Sequence, residues 1–323
     1  MTLPDYQSVC QAAHQIAGYA YRTAVIESPA LNRYLGTNIY FKCEHMQVIG
    51  AFKFRGAFNA ISKLSEQQLQ QGVLTYSSGN HGQAVAMAAK ILQANATIVM
   101  PNNAPKAKLA GVNKLDAKVV LYDPFTENRE QVAAELDPDG NMALIPPYNH
   151  IDVISGQGTS ALELLTDYPN IEQLLTPCGG GGLLSGSALA ASGMNPHCEV
   201  YGVEPKIADD AKQSLAKGEI ISIDYPDTIA DGVRTLALGK LTFAVIKKEV
   251  TDIVTVSEDA IKTATSILVS HMKQLVEPSA VLGLAALLEG SVRPKSHVGI
   301  ILSGGNADME SLISLIKSHP SVI

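Results

Sequence analysis

The run Thr176-Pro177-Cys178-Gly179-Gly180-Gly181-Gly182-Leu183-Leu184-Ser185-Gly186 constrains this chain more than any other stretch. Consecutive glycines bring no side chain to a core and lose much entropy on folding, so packing is not expected to account for them and something should approach their backbone. Ile171 to Thr176 reads as a short strand, and Leu183 to Ala191 as a small, apolar, buried helix. A strand, a glycine turn and a helix start together present free N–H groups and the positive helix end to an anion, usually a phosphate. The plainer alternative is a tight turn in a crowded sheet. The glycines do not fit G-x-G-x-x-G, and Ser187 stands where the Walker spacing needs lysine, so a dinucleotide or nucleoside triphosphate is disfavoured and a smaller phosphate compound is favoured.

The same pattern recurs along the chain. Residues 5 to 18 read as a helix, Thr23 to Ile26 as a strand, Pro29 as a helix start and Asn38 to Cys43 as a strand. After a helix running to Leu64 the elements alternate: strand Val73 to Ser77, a helix to Leu92, strand Ala96 to Met100, helix Pro105 to Val112, strand Ala117 to Leu121, helix Glu127 to Leu136 and strand Met142 to Ile145. Such alternation implies a parallel sheet covered on both faces. Pro146 to His150 breaks it and is the expected domain junction. Beyond it come a helix from Gly158 to Tyr168, strands at Glu199 to Val203, Ile253 to Val256 and Val298 to Leu302, and a long helix from Glu258 to Val276.

Two more polar glycine turns follow strands: Ser77-Ser78-Gly79-Asn80-His81 and Ser303-Gly304-Gly305-Asn306. In open α/β sheets ligands sit beyond the carboxyl ends of strands, so the three turns are expected to share one site. Lys53 lies between Phe52 and Phe54; a lysine ringed by apolar groups loses its proton more readily, and a neutral amine can attack a carbonyl to form an imine. Its alternative is a solvated lysine at a helix start. Glu204, Asp209 and Asp210 near a strand end suit a hard divalent cation or the acidic cap of a helix. His81 read by itself is a satisfied histidine.

The 323 residues carry a net charge of −7, no tryptophan and 5% aromatics, which argues against nucleic acid and anionic membranes as partners. The longest apolar run, Ala280 to Leu288, is too short to cross a bilayer, and no secretory signal is visible at the N-terminus. Cys10, Cys43, Cys178 and Cys198 are scattered as expected of reduced thiols, so a cytoplasmic enzyme is the expectation.

Four motifs in order, Ala51-Phe52-Lys53-Phe54-Arg55-Gly56, Ser77-Ser78-Gly79-Asn80-His81, Gly179 to Gly182 and Ser303 to Asn306, resemble those of the fold-type II pyridoxal-phosphate enzymes. Within that group the chain is similar to the serine/threonine dehydratases, serine racemases and threo-3-hydroxyaspartate ammonia-lyases, over nearly its whole length. The resemblance implies two open, mostly parallel twisted sheets covered by helices. A large domain (1–51 and 146–323) and a small domain (52–145) would hold pyridoxal 5'-phosphate between them. It implies a homodimer acting on a small amino acid.

By that resemblance Lys53 binds the cofactor as an imine and serves as base on one face of Cα. Gly179, Gly180, Gly181 and Gly182 hold the phosphate, Asn80 the ring hydroxyl oxygen, and Ser303 faces the pyridine nitrogen. Ser77, Ser78, Asn80 and His81 take the substrate α-carboxylate, and Ser78 serves the opposite face of Cα in racemases. Arg129 meets a second carboxylate, with an exposed helix arginine as its alternative. Thr235 and Glu277 line the pocket, and Glu204, the Ala208 carbonyl and Asp210 match a divalent-cation site (Mg²⁺, Mn²⁺ or Ca²⁺). The implied reaction is α,β-elimination from L-serine, L-threonine or L-threo-3-hydroxyaspartate to a 2-oxo acid and ammonia, with serine racemisation beside it. A mainly racemising enzyme and a binding module without chemistry are the alternatives. Val48-Ile49 departs from the polar residues of mammalian racemases, which speaks against ATP activation, and the C-terminal regulatory domain of biosynthetic threonine dehydratases is not expected.

Overall fold

The computed structural model describes residues 2–77, 79–103 and 106–319, with residues 106–108 and 110 described by backbone alone. Chain order begins with α1 (Tyr6–Gln15), β1 (Val25–Ile26), α2 (Pro29–Leu35) and β2 (Asn38–Lys42). It continues with α3 (Lys53–Ile61), α4 (Glu66–Gln71), β3 (Val73–Tyr76), α5 (Asn80–Ile91), β4 (Ala96–Pro101), α6 (Lys106–Asn113), β5 (Lys118–Tyr122), α7 (Arg129–Leu136) and β6 (Ala143–Leu144). The remainder is α8 (Ile151–Asp167), β7 (Gln173–Pro177), α9 (Gly182–Met194), β8 (Glu199–Pro205), α10 (Asp210–Lys217), α11 (Lys240–Glu249), β9 (Asp252–Val256), α12 (Glu258–Ser266), α13 (Leu282–Glu289), β10 (His297–Ile301) and α14 (Met309–Ser318).

Two sheets result. Six strands order as β1-β2-β10-β7-β8-β9, parallel except for β1 against β2, and four order as β5-β4-β3-β6, all parallel. Central β10 pairs Val298 with Ile39 on one side and with Gln173 on the other. Its Val298, Ile300 and Ile301 are fully buried, as a strand covered on both faces requires, and each contributes about 1.5–3 kcal/mol by burial.

Two elements differ from the sequence reading. Helix α8 starts at Ile151, earlier than expected, because the His150 ring nitrogen Nδ1 accepts from the Asp152 N–H (3.2 Å) and caps the helix. Gly156 and Gly158 are places of close helix contact. A Cβ on Gly156 would lie 2.5 Å from the Arg55 carbonyl oxygen, and one on Gly158 would lie 2.5 Å from that of Gly186. Helix α12 stops at Ser266 instead of reaching Val276. A widened turn follows over Ile267–His271, with Met272 N–H donating to the Ile267 carbonyl, and Lys273 takes a left-handed φ of 59°. The released residues let the Glu277 N–H reach the Gly304 carbonyl (3.0 Å).

A buried ionic network ties α3 to the six-stranded sheet. The Arg55 guanidinium is fully buried, with Nε 2.7 Å from Glu44 and Nη1 2.7 Å from Glu163; it also donates to the Thr159 hydroxyl and the Tyr21 carbonyl. Lys42, equally buried, donates to Glu163 (2.6 Å) and to the Thr23 carbonyl. Every charge here has an opposite partner and further hydrogen bonds, the condition under which buried charges are tolerated.

Candidate active site

Lys53 opens α3, just after the loop that meets the Ser303 turn. The Phe52 N–H donates to the Ser303 carbonyl (3.0 Å), and Ala51 bridges Gly304. Lys53 is half-buried as a residue, and its desolvated amine donates to the Pro147 carbonyl (2.8 Å), with the Phe52 ring 5.1 Å away. Desolvation brings the amine down to about 8, against the opposing pull of Glu277, which favours the ammonium. The lysine is therefore neither freely solvated nor locked in its charged form.

Glu277 is also gripped by Asn80, whose amide nitrogen lies 3.0 and 3.1 Å from its two carboxylate oxygens. The Asn80 side-chain oxygen accepts from Asn306 (2.8 Å), which donates as well to the Ile49 carbonyl (2.7 Å). Residues from the first and third glycine turns thus meet at Glu277, beside the lysine. Ser303 is buried at the same place. The Ser77 hydroxyl accepts from the Gly79 N–H (3.4 Å), while Ser78 lies outside the described residues. The His81 ring is turned away to the Ile145 carbonyl (2.9 Å), and burial drives it down to about 3, so it is neutral. What His81 can offer an anion is its N–H in the first turn of α5.

The glycine run corrects part of the sequence argument. Packing does demand these glycines. A Cβ on Gly180 would lie 2.2 Å from the Tyr148 ring, one on Gly182 would lie 2.4 Å from Gln157 Oε1, and one on Gly181 would lie 2.8 Å from Leu238 and Ile246. Gly181 also has φ 85°, a left-handed conformation that only glycine adopts freely. The run nonetheless keeps free donors for an anion. Among the described residues, no protein acceptor takes the N–H groups of Gly179 to Gly182, and α9 begins without a side-chain cap. Thr235, whose Oγ1 is buried without a partner, stands 3.4 Å from the Cβ position of Gly179. Uncapped N–H groups at a helix start, with a spare hydroxyl alongside, suit a phosphate.

Arg129 begins α7 and stacks over the Tyr76 ring at 5.3 Å. Burial, with Glu130 nearby, pushes the Tyr76 hydroxyl up to about 12. Around the acidic stretch, Glu204 is fully buried and accepts from the N–H groups of Ala211 and Lys212 (3.1 and 3.0 Å). Both carboxylate oxygens of Asp210 are buried without a partner, and desolvation pushes that group up to about 7. No group of three or more His, Cys, Asp or Glu side chains that could hold a metal occurs among the described residues.

Sequence reasoning missed Pro147, Tyr148, Gln157 and the linking role of Asn306. A glutamine between two glycines in mid-helix was the available signal for Gln157.

A lysine lowered by desolvation, an uncapped glycine run and two further polar turns fit a phosphate-bearing carbonyl cofactor. The chain belongs to the pyridoxal-phosphate dependent enzyme family, whose model matches residues 16–304. It is 49% identical to an L-threo-3-hydroxyaspartate ammonia-lyase of Saccharomyces cerevisiae, over 98% of each chain. It is 46% identical to a serine racemase of Schizosaccharomyces pombe, over 96% of each. The solved structure of maize serine racemase superposes with a TM-score of 0.93 at 41% identity, covering 98% of each chain.

Proposed function

We propose that this enzyme is an ammonia-lyase for hydroxy amino acids. It converts L-threo-3-hydroxyaspartate, L-serine or L-threonine to the 2-oxo acid and ammonia, with serine racemisation as a second activity. The observation that carries this reading is the Lys53 amine, desolvated, lowered to about 8 and set beside three glycine turns. When bound, pyridoxal phosphate supplies an aldehyde carbon for an amine and an acceptor for the electrons left at Cα. Lys53 accepts the Cα proton. The N–H groups of the glycine run and Thr235 hold the phosphate, and Asn80 and Ser303 hold the ring. Ser77 and the first N–H groups of α5 orient the α-carboxylate. Ser78 serves the other face of Cα when racemisation occurs. The β-hydroxyl leaves with a proton as water, and one water then hydrolyses the released enamine, by way of its imine, to the 2-oxo acid and ammonia, so that water cancels in the net reaction.

Arg129 is the residue for a second carboxylate, which favours hydroxyaspartate; its guanidinium, held over Tyr76, is a planar donor suited to a carboxylate. The unpartnered Asp210 oxygens, with Glu204 and the Ala208 carbonyl, support a hard divalent cation held by oxygen. We further assign residues 1–51 and 146–323 to a large domain and 52–145 to a small one, in a cytoplasmic homodimer. No helix among the described residues is long and apolar enough to cross a membrane.

The test is steady-state turnover on the three substrates, with and without Mg²⁺ after chelation. Oxo-acid release is measured beside chiral separation of serine. Oxo-acid release is expected to dominate. D-serine formed faster than pyruvate would overturn the lyase reading, and turnover indifferent to chelation and to every added divalent cation would overturn the cation.

A further inference from the structure

Gly156, Gln157 and Gly158 occupy the middle of α8. Gly156 lies against the backbone of Arg55 and Gly56 in α3, the helix that Lys53 begins. Gly158 lies against Gly186 in α9, the helix that the glycine run begins. Gln157 is therefore fixed between the nucleophile and the phosphate cradle, and it is completely buried. Its amide nitrogen donates to the Pro147 carbonyl (3.3 Å), the same oxygen that receives the Lys53 amine (2.8 Å). Its other end, Oε1, has no partner among the described residues and lies against Gly182. A carbonyl cannot donate, so the amide end facing Pro147 is the nitrogen.

We propose that Gln157 is a positioning residue that holds the Pro147 carbonyl as a docking point for the Lys53 amine. The docked amine stays beside the cradle while its nitrogen is free. When Lys53 leaves to bond the cofactor carbon, Gln157 keeps that carbonyl hydrogen-bonded, which removes the cost of an unsatisfied acceptor. Two donors share one oxygen, so removing the Gln157 N–H strengthens the hold of the oxygen on a protonated Lys53. It also removes the positive end of an amide dipole that faces the ammonium. Glu277 already favours the ammonium, as does the Phe52 ring; His81, which also lies near it, is neutral. Loss of Gln157 thus moves Lys53 toward its charged, unreactive form.

The experiment uses the enzyme stripped of cofactor. Modification of Lys53 by an amine-selective reagent is followed across pH by peptide mass spectrometry, in the parent, Gln157→Leu and Gln157→Asn. Recombination with pyridoxal phosphate is timed in the same samples. In both variants the Lys53 reactivity curve should move to higher pH, and recombination at pH ~7.5 should slow about tenfold for each pH unit of that movement. A folded variant whose Lys53 titrates and recombines as in the parent overturns the proposal. Gln157→Asn keeps an amide but withdraws it by one methylene, so it carries the comparison where the leucine variant does not fold. For the case in which neither folds, the parent enzyme gives a second measurement. The Gln157 side-chain amide resonance should shift when the cofactor is loaded, since its acceptor is then no longer shared, and an unmoved resonance overturns the proposal.

Discussion

Gly180→Ala is the sharpest probe of how the phosphate cradle is built. The added Cβ would sit 2.2, 2.3 and 2.4 Å from Cδ1, Cε1 and Cγ of Tyr148, whereas ordinary contact starts near 3.4 Å. Either the ring or the loop must withdraw by about 1 Å, and overpacking of this kind costs about 1–3 kcal/mol. The ring has little room to yield. Tyr148 follows Pro146 and Pro147, its carbonyl accepts from the His150 N–H, and its hydroxyl reaches the Ala237 carbonyl (3.4 Å). The loop therefore gives way and, in the phosphate-binding role proposed for it, carries its N–H groups off the phosphate. The expected loss of cofactor affinity is about 5- to 150-fold, the same energy read as a dissociation constant. Fluorescence titration of stripped enzyme with pyridoxal phosphate measures it. Gly179→Ala should do less harm, because its Cβ meets Val233 Cα at 3.0 Å. Trimming the ring by Tyr148→Ala should restore part of the loss in Gly180→Ala. Parent affinity in a folded Gly180→Ala enzyme would refute this account of the cradle.

Other perturbations have equally definite outcomes. With a folded-state value near 8 against an ordinary 10.5, Lys53 in stripped enzyme should react with amine reagents at pH ~7.5 over a hundredfold faster than surface lysines of equal access. Between those two values the unfolded chain holds the Lys53 proton more tightly than the folded one, so this group makes stability rise with pH across that window, as pH-dependent denaturant melts of stripped enzyme can check. Arg129→Met should raise KM for L-threo-3-hydroxyaspartate at least tenfold while leaving KM for L-serine nearly unchanged, since a lost charge-assisted bond is worth about 1.5–3 kcal/mol; equal effects on both substrates in steady-state assays would remove Arg129 from recognition. Arg55→Met leaves the fully buried Glu44 without its guanidinium partner, while Glu163 keeps Lys42, and denaturant melts should show a loss of about 3–5 kcal/mol.

Much of this architecture was legible because it is written locally. Alternating strand and helix patterns point to parallel sheets, and each polar glycine turn follows its own strand. The phenylalanines beside Lys53 left a solvated lysine open, and it was the four motifs taken together that singled it out. What escaped is set by contacts distant in sequence. The start of α8 before Gly158 becomes intelligible only when Gly56 and Gly186 are seen pressed against Gly156 and Gly158. The early end of α12 depends on a widened turn and a left-handed Lys273, for which no local pattern exists. Tyr148 and Gln157 belong to the cradle only through space, and their presence changes why the glycines are glycines. Glu277 was expected to line the pocket, but its grip by Asn80 spans 197 residues and has no signature in either neighbourhood.

The backing of the glycine run by Tyr148, Gln157, Leu238 and Ile246 bears on the timing of order. A loop supported from behind takes its shape when the chain folds, before any cofactor arrives. Binding then has little backbone entropy left to overcome, the condition for preorganised recognition. The same backing keeps the loop from retreating toward Tyr148 and Gln157 to make room for a larger anion. One solid wall thus sets both how readily the cofactor is captured and how large its anionic end can be.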